Sequence, residues 1–241
     1  MRSTIAWLPC GVGAAFAAFG APSAELLDLA ARVHYGYYQA DPRTIEAAMT
    51  ALDRLAESPE VLYYRDFAAL RLAQLGGKDR ASTERLETCA QRDVPPVLEK
   101  RRAAEAWVLV AACAQLAGDD GRRDEGLSRA REHDDDNPRL PLVEAWALEA
   151  EPDGDAAHRD AVAAKLTAAV DAFDAWAPSL DDPDWGHAEA LTALGAAALE
   201  RGQLRTARDL IERALLLVPD YRAAVEVRLA MQGAGSGERT L

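Results

Sequence analysis

The sequence predicts an all-α protein of about ten to eleven helices, packed as antiparallel neighbours. Apolar residues recur at helical spacing between breakers, and no strand-like alternation persists over six residues. Only 16 Gly and 12 Pro occur in 241 residues, few for a chain built on turns. The links between periodic segments are short, so each amphipathic helix must cover its apolar face against the next one.

The elements follow in order from their breakers. Ala24 to Tyr38 is periodic and stops before Asp41 and Pro42. Pro42 to Glu57 and Pro59 to Leu75 each open with proline, whose fixed φ suits a first turn; the latter closes at Gly76 and Gly77. Asp79 to Arg92 stops before Pro95, and Pro96 to Leu116 ends at Gly118. Asp124 to Glu132 runs into an acidic stretch. Leu140 to Ala150 ends near Pro152 and Gly154, and Ala156 to Trp176 before Pro178. Trp185 to Arg201 ends at Gly202, Gln203 to Leu217 at Pro219, and Tyr221 to Met231 in a glycine-rich tail over 232–241.

The amino end differs from the rest. After Arg2 no charge appears until Glu25, and an apolar run ends in the small residues APSA. This predicts a secretory signal over 1–23, cleaved after Ser23 or Ala24, and a periplasmic mature protein that is not membrane-integral once cleaved. Pro9 before Cys10 departs from a lipobox, so lipidation is not expected. Losing the leader, whose only charge is Arg2, moves the net charge from −13 to −14. Such a chain repels a phosphate backbone, so nucleic acid is not an expected partner.

Export leaves Cys89 and Cys113, a pair that an oxidising compartment would ordinarily join. If the segments around them form an antiparallel hairpin turning at Pro95 and Pro96, the two sit about 18 Å apart, beyond the ~7 Å a bridge allows. Two separate buried thiols are then the expectation.

The stretch from Ala188 to Tyr221, AEALTALGAAALERGQLRTARDLIERALLLVPDY, is 34 residues long. It resembles a tetratricopeptide repeat: Leu191, Leu194, Gly195 and Ala198 occupy the first-helix positions, Ala207, Ile211 and Ala214 the second-helix positions, and Pro219 the end. Segments 59–93 and 103–137 share the helix, glycine, helix, proline layout with fewer signature residues. Pro59 to Pro95 and Pro183 to Pro219 are each 36 residues apart, near one repeat length. The resemblance implies a right-handed α-solenoid of helix pairs over 24–231. More loosely, Asn137-Pro138-Arg139 opening one helix and Trp185-Gly186 preceding the repeat resemble exported bacterial tetratricopeptide proteins, including the T-component of TRAP transporters. That resemblance implies periplasmic uptake of organic acids.

Candidates for chemistry are few. Asp155 with His158, and Asp184 with His187, have helical-face spacing but no companion ligands, and Asp184 reads more simply as a helix cap. His133 is isolated. The acidic runs 132–136 and 181–184 lack the order of a calcium loop. Gly11 and Gly13 follow no strand, and Gly235-Ser236-Gly237 lacks the outer glycines of a nucleophile elbow. No metal, cofactor or catalytic residue is expected.

Tyr35, Tyr37, Tyr38, Tyr63 and Tyr64 cluster near the amino end, either as inter-helix packing or as the amphipathic lining of a groove or pocket. Arg65 and Arg71 stand close enough in sequence to receive a carboxylate there. On the last repeat the groove face would carry Glu189, Thr192, Ala196 and Leu199, without the Lys and Asn that clamp a peptide terminus. The leading expectation is an exported, non-catalytic scaffold that binds a protein or extended peptide in a concave groove. The alternative is a pocket for a small organic acid, serving a TRAP-type uptake system.

Overall fold

The computed structural model describes residues 23–77, 79–96, 98–151, 155–179 and 182–237. Residues 1–22 of the predicted signal, Cys10 among them, and the last four residues lie outside them. The described residues form eleven α-helices and no strand: α1 (Ala24–Tyr38), α2 (Pro42–Leu52), α3 (Pro59–Gln74), α4 (Arg80–Ala90), α5 (Lys100–Ala117), α6 (Asp120–His133), α7 (Arg139–Glu149), α8 (Ala156–Ala175), α9 (His187–Glu200), α10 (Leu204–Leu217) and α11 (Arg222–Gly237). None of the described helices is long and apolar enough to cross a membrane.

Side chains at helix ends set the boundaries. Ser23 caps α1 by accepting from the Leu26 N–H at 3.1 Å, so cleavage after Ser23 would remove that cap. Helix α2 ends five residues before Glu57, because the Arg65 guanidinium takes the freed Leu52 and Leu55 carbonyls at 2.9 and 3.2 Å. Glu99 caps α5 by accepting from Arg102 N, which places its start after Pro96. Asp119 caps α6 and starts it at Asp120 rather than Asp124. Helix α11 continues to Gly237, beyond Met231.

Asp184, expected to cap α9, does not. Gly186 occupies that position with φ +105°, and its N–H donates to the Glu189 carboxylate at 2.9 Å. A Cβ on Gly186 would stand 2.5 Å from Phe173, so both its conformation and its surroundings require glycine.

Neighbouring helices pack in pairs, giving an all-α, solenoid-like stack. Links of two or three residues between α1 and α2, α5 and α6, and α9 and α10 force antiparallel hairpins. The odd-numbered helices also touch one another, α1 with α3, α3 with α5, α5 with α7, and α9 with α11. They form the inner layer, and α3 and α5 bury more of their residues than the outer α4, α6 and α10.

Within the last pair, Leu191, Ala198, Ala207, Ile211 and Ala214 are buried, Leu194 packs against them, and Pro219 is exposed past the end of α10. Gly195 permits the crossing: a Cβ there would meet Ile211 Cδ1 at 2.8 Å. Gly36 against Ile45, and Gly126 against Ala111, make the same kind of contact in the first and third pairs. Replacing Gly195 by Leu is expected to cost about 1–3 kcal/mol through overpacking. Thermal melts check this, and an unchanged Tm would refute the close contact.

The cysteines correct the sequence expectation: Cys89 and Cys113 are disulfide-bonded, with Cα atoms 5.9 Å apart. The hairpin premise fails because α4 and α5 are joined by nine residues, 91–99, rather than by a tight turn. At about 3.3 Å per residue that length of chain spans ~30 Å, enough to carry α5 back so that its end lies beside the end of α4. The Arg122 guanidinium at the start of α6 fastens the junction by donating to the Ala90 and Arg92 carbonyls at 3.0 and 2.8 Å.

Candidate functional site

The inner layer converges on Trp185, in the segment before α9, where two buried ion pairs flank the indole. Arg71 of α3 is fully buried and pairs with Glu189 of α9, while donating to Gln74 at 2.8 Å. Its guanidinium lies 3.9 Å from the Tyr37 ring centroid and 5.3 Å from that of Trp185. Arg139 of α7, equally buried, donates to Glu105 Oε1 of α5 at 2.6 Å and to the Pro183 carbonyl. Its guanidinium lies 5.1 Å from the Trp185 ring. A delocalised, weakly hydrated guanidinium suits such aromatic surroundings better than an ammonium would.

Other hydrogen bonds hold this core in register. Glu189 Oε2 accepts from Gly186 N and, at 3.4 Å, from the Tyr38 hydroxyl. Asn137 Nδ2 donates to Glu105 Oε1 at 2.9 Å, and Asn137 Oδ1 accepts from Arg139 N at 3.0 Å. Trp185 Nε1 donates to the Tyr63 hydroxyl at 2.9 Å. The Tyr37 and Tyr221 hydroxyls stand 3.5 Å apart, so the entry to α11 meets α1. Burial pushes the Tyr38, Tyr63 and Tyr221 hydroxyls above the ordinary phenol range, so these groups stay neutral.

His34 of α1 packs against Phe67 with the rings tilted by 45° and their centroids 4.8 Å apart, and its Nδ1 is sealed from solvent and without a protein partner. Burial, reinforced by Arg71 and Arg139, lowers its pKa to about 3. The folded protein therefore refuses a proton that the unfolded chain accepts near pH 6.5. This part of the stability is complete above pH 6.5 and is lost as the pH falls from 6.5 towards 3, at about 1.4 kcal/mol per pH unit. Urea titrations at pH 7 and about pH 5 should show His34→Phe losing roughly 2 kcal/mol less than the parent. Equal losses would contradict the buried neutral imidazole.

Beside this core, between α3 and α5, a partly open cleft of about 80 Å³ is lined by Pro59, Glu60, Tyr63, Tyr64, Leu98, Arg102, Glu105, Ala106, Asp182 and Pro183. Its walls are mainly apolar and aromatic. The Tyr63 and Tyr64 rings meet edge to face with centroids 5.3 Å apart. Arg102 pairs with Glu60 at 3.0 Å, and Asp182 pairs with Arg101 at 2.9 Å. Glu105 is 2% exposed; Oε1 takes both Arg139 and Asn137, and Oε2 is sealed from solvent without a partner in the protein. Burial raises its pKa, against the pull of Arg139 and Asn137.

The residues singled out from sequence part company here. Tyr63 and Tyr64 line the cleft, and Tyr37 and Tyr38 belong to the ion-paired core. Tyr35 is 60% exposed. Arg65 sits at the end of α2 on backbone carbonyls, and Arg71 is consumed by Glu189, so neither is placed to receive a ligand carboxylate. Glu189 and Thr192 are buried rather than displayed on a groove, the Thr192 hydroxyl bonding back to the Ala188 carbonyl. Asp155 caps α8 through His158 N. Glu105 is the buried carboxylate that spacing missed, and Glu189, read as a groove-face residue, is instead the buried partner of Arg71; Asn137 and Arg139 of the NPR motif hold Glu105, and Trp185 of the WG motif lies between the two pairs. No protein-family model matches the chain, and a search of the curated proteins finds no relative.

Proposed function

We propose that this protein is a non-catalytic, exported binding protein, built from tetratricopeptide-like helix pairs, that holds a small solute in the cleft between α3 and α5. One observation carries the reading: the inner faces that would line a peptide groove close on Trp185 and its two ion pairs, while an aromatic cleft with an unpartnered buried carboxylate oxygen remains beside them. Small-molecule sites have this character, a mainly apolar wall with a few convergent polar atoms. The buried disulfide supports an oxidising compartment such as the periplasm. An accessory role in solute uptake fits both.

A second reading, the interaction scaffold, draws support from Leu216, Leu217 and Leu229, which are 82%, 50% and 58% exposed on α10 and α11. It would place a protein partner on the carboxyl-terminal end rather than in an inner groove.

Thermal melts against a panel of small amines, acids and polyols separate the two. A solute at 100 times its Kd adds about 2.7 kcal/mol, roughly 5–10 °C in a chain of this size. Ala106 lines the cleft, so Ala106→Phe should fold with unchanged helicity and lose that shift. A panel without effect, or an equal shift in Ala106→Phe, would refute the cleft as the binding site.

A further inference from the structure

Resting on the cleft reading, we infer that the occupant is an uncharged, unbranched apolar chain that runs from the cleft into a second cavity between the same two helices. That cavity, of about 40 Å³, has Leu62, Val94, Leu109 and Val110 among its walls. It shares Pro59, Tyr63, Leu98 and Ala106 with the cleft, so these side chains divide the two chambers. Leu98 is half-buried and lies in the linker 91–99, before the start of α5. A change of its rotamer therefore opens one chamber to the other.

Apart from Asp93, which is exposed, the charged side chains on both sets of walls are already paired. Arg102 meets Glu60 at 3.0 Å, and Asp182 meets Arg101 at 2.9 Å. Glu105 holds Arg139 and Asn137 on Oε1, and its Oε2 is sealed from solvent. In the second cavity Arg92 donates to Asp66 through two hydrogen bonds of 2.7 and 2.8 Å. A charged occupant would lose its hydration without gaining a vacant counter-ion, whereas an apolar chain needs only contact surface. Carboxylic acids, the class implied by the transporter resemblance, would set an anion on walls whose guanidiniums are engaged. At roughly 10–15 Å³ for each water-sized group, the cleft takes about five to eight heavy atoms and the second cavity about three or four. A chain the length of octanol fills both.

The probes are n-butanol, n-hexanol and n-octanol, with sodium octanoate and n-octylammonium chloride as charged counterparts, compared at fixed ionic strength by calorimetry and thermal shift on the intact protein. The expected result is a Kd that falls about fourfold per added methylene from butanol to octanol, with octanol binding roughly tenfold or more tightly than either charged chain. Leu62 lines the second cavity and not the cleft, so Leu62→Phe should remove the gain with length and leave butanol binding unchanged. Should that variant fail to fold, Val94→Phe serves in its place. Butanol binding that does not strengthen with chain length, or a gain that survives in the filled variant, would overturn the two-chamber chain, while its loss in Ala106→Phe would keep the cleft as a binding site. Octanoate or octylammonium binding as tightly as octanol would overturn the uncharged assignment. No binding of any alkanol overturns the inference outright, and the wider panel then decides the cleft.

Discussion

Replacing Arg71 by Met is expected to destabilise the protein by about 3–5 kcal/mol, because it strands the buried Glu189 carboxylate rather than merely deleting a contact. Glu189 would keep Gly186 N and Tyr38 but lose its charged partner, and three aromatic rings would lose the guanidinium between them. Urea unfolding measures the loss. Adding Glu189→Gln should restore much of it, since a neutral amide still accepts from Gly186 N without a stranded charge. A cost under about 1 kcal/mol for Arg71→Met, or a double variant no better than the single, would mean that this pair does not tie α3 to α9 as described.

The other large effect lies at the disulfide. Cys89 and Cys113 enclose a loop with a sequence separation of 24, so the chain-entropy estimate for removing the cross-link is about 3–4 kcal/mol. For this chain length that is roughly 6–15 °C in Tm. Both cysteines are fully buried, so reductant should act slowly on the folded protein, and a Cys89→Ala/Cys113→Ala variant gives a cleaner comparison. The double variant should melt lower yet remain helical, because the Arg122 guanidinium of α6 still holds the carbonyls at the end of α4. Equal melting temperatures would show that the bridge adds nothing.

Local signals made the helices legible. Prolines at the starts of α2 and α3, Gly118 and Gly202 at turns, and apolar spacing throughout placed most elements within a few residues. The α9–α10 pair could be read to single positions, since Gly195 and Ile211 must be small and large where two helices cross. Ends held by distant side chains could not be read: α2 stops where Arg65, in the next helix, takes its carbonyls.

The site was legible only in part, for a related reason. Tyr63 and Tyr64 stand out as adjacent aromatics, but Arg71 meets Glu189 across 118 residues and Glu105 meets Arg139 across 34, separations that carry no periodic signal. Arg71 therefore read as a free ligand-binding cation when it is a buried strut. Glu105 lies in an alanine-rich helix that gives no hint of it. The NPR and WG motifs did mark the region: Asn137 and Arg139 grip Glu105, and only glycine fits after Trp185. The cysteine geometry was misread because the length of a linker does not disclose its direction.

The cleft account is tested most directly by thermal melts of the intact protein and of Ala106→Phe against the panel of small amines, acids and polyols. The expected result is a rise in Tm with at least one solute that is absent in Ala106→Phe. No rise with any solute, or an equal rise in Ala106→Phe, would contradict it.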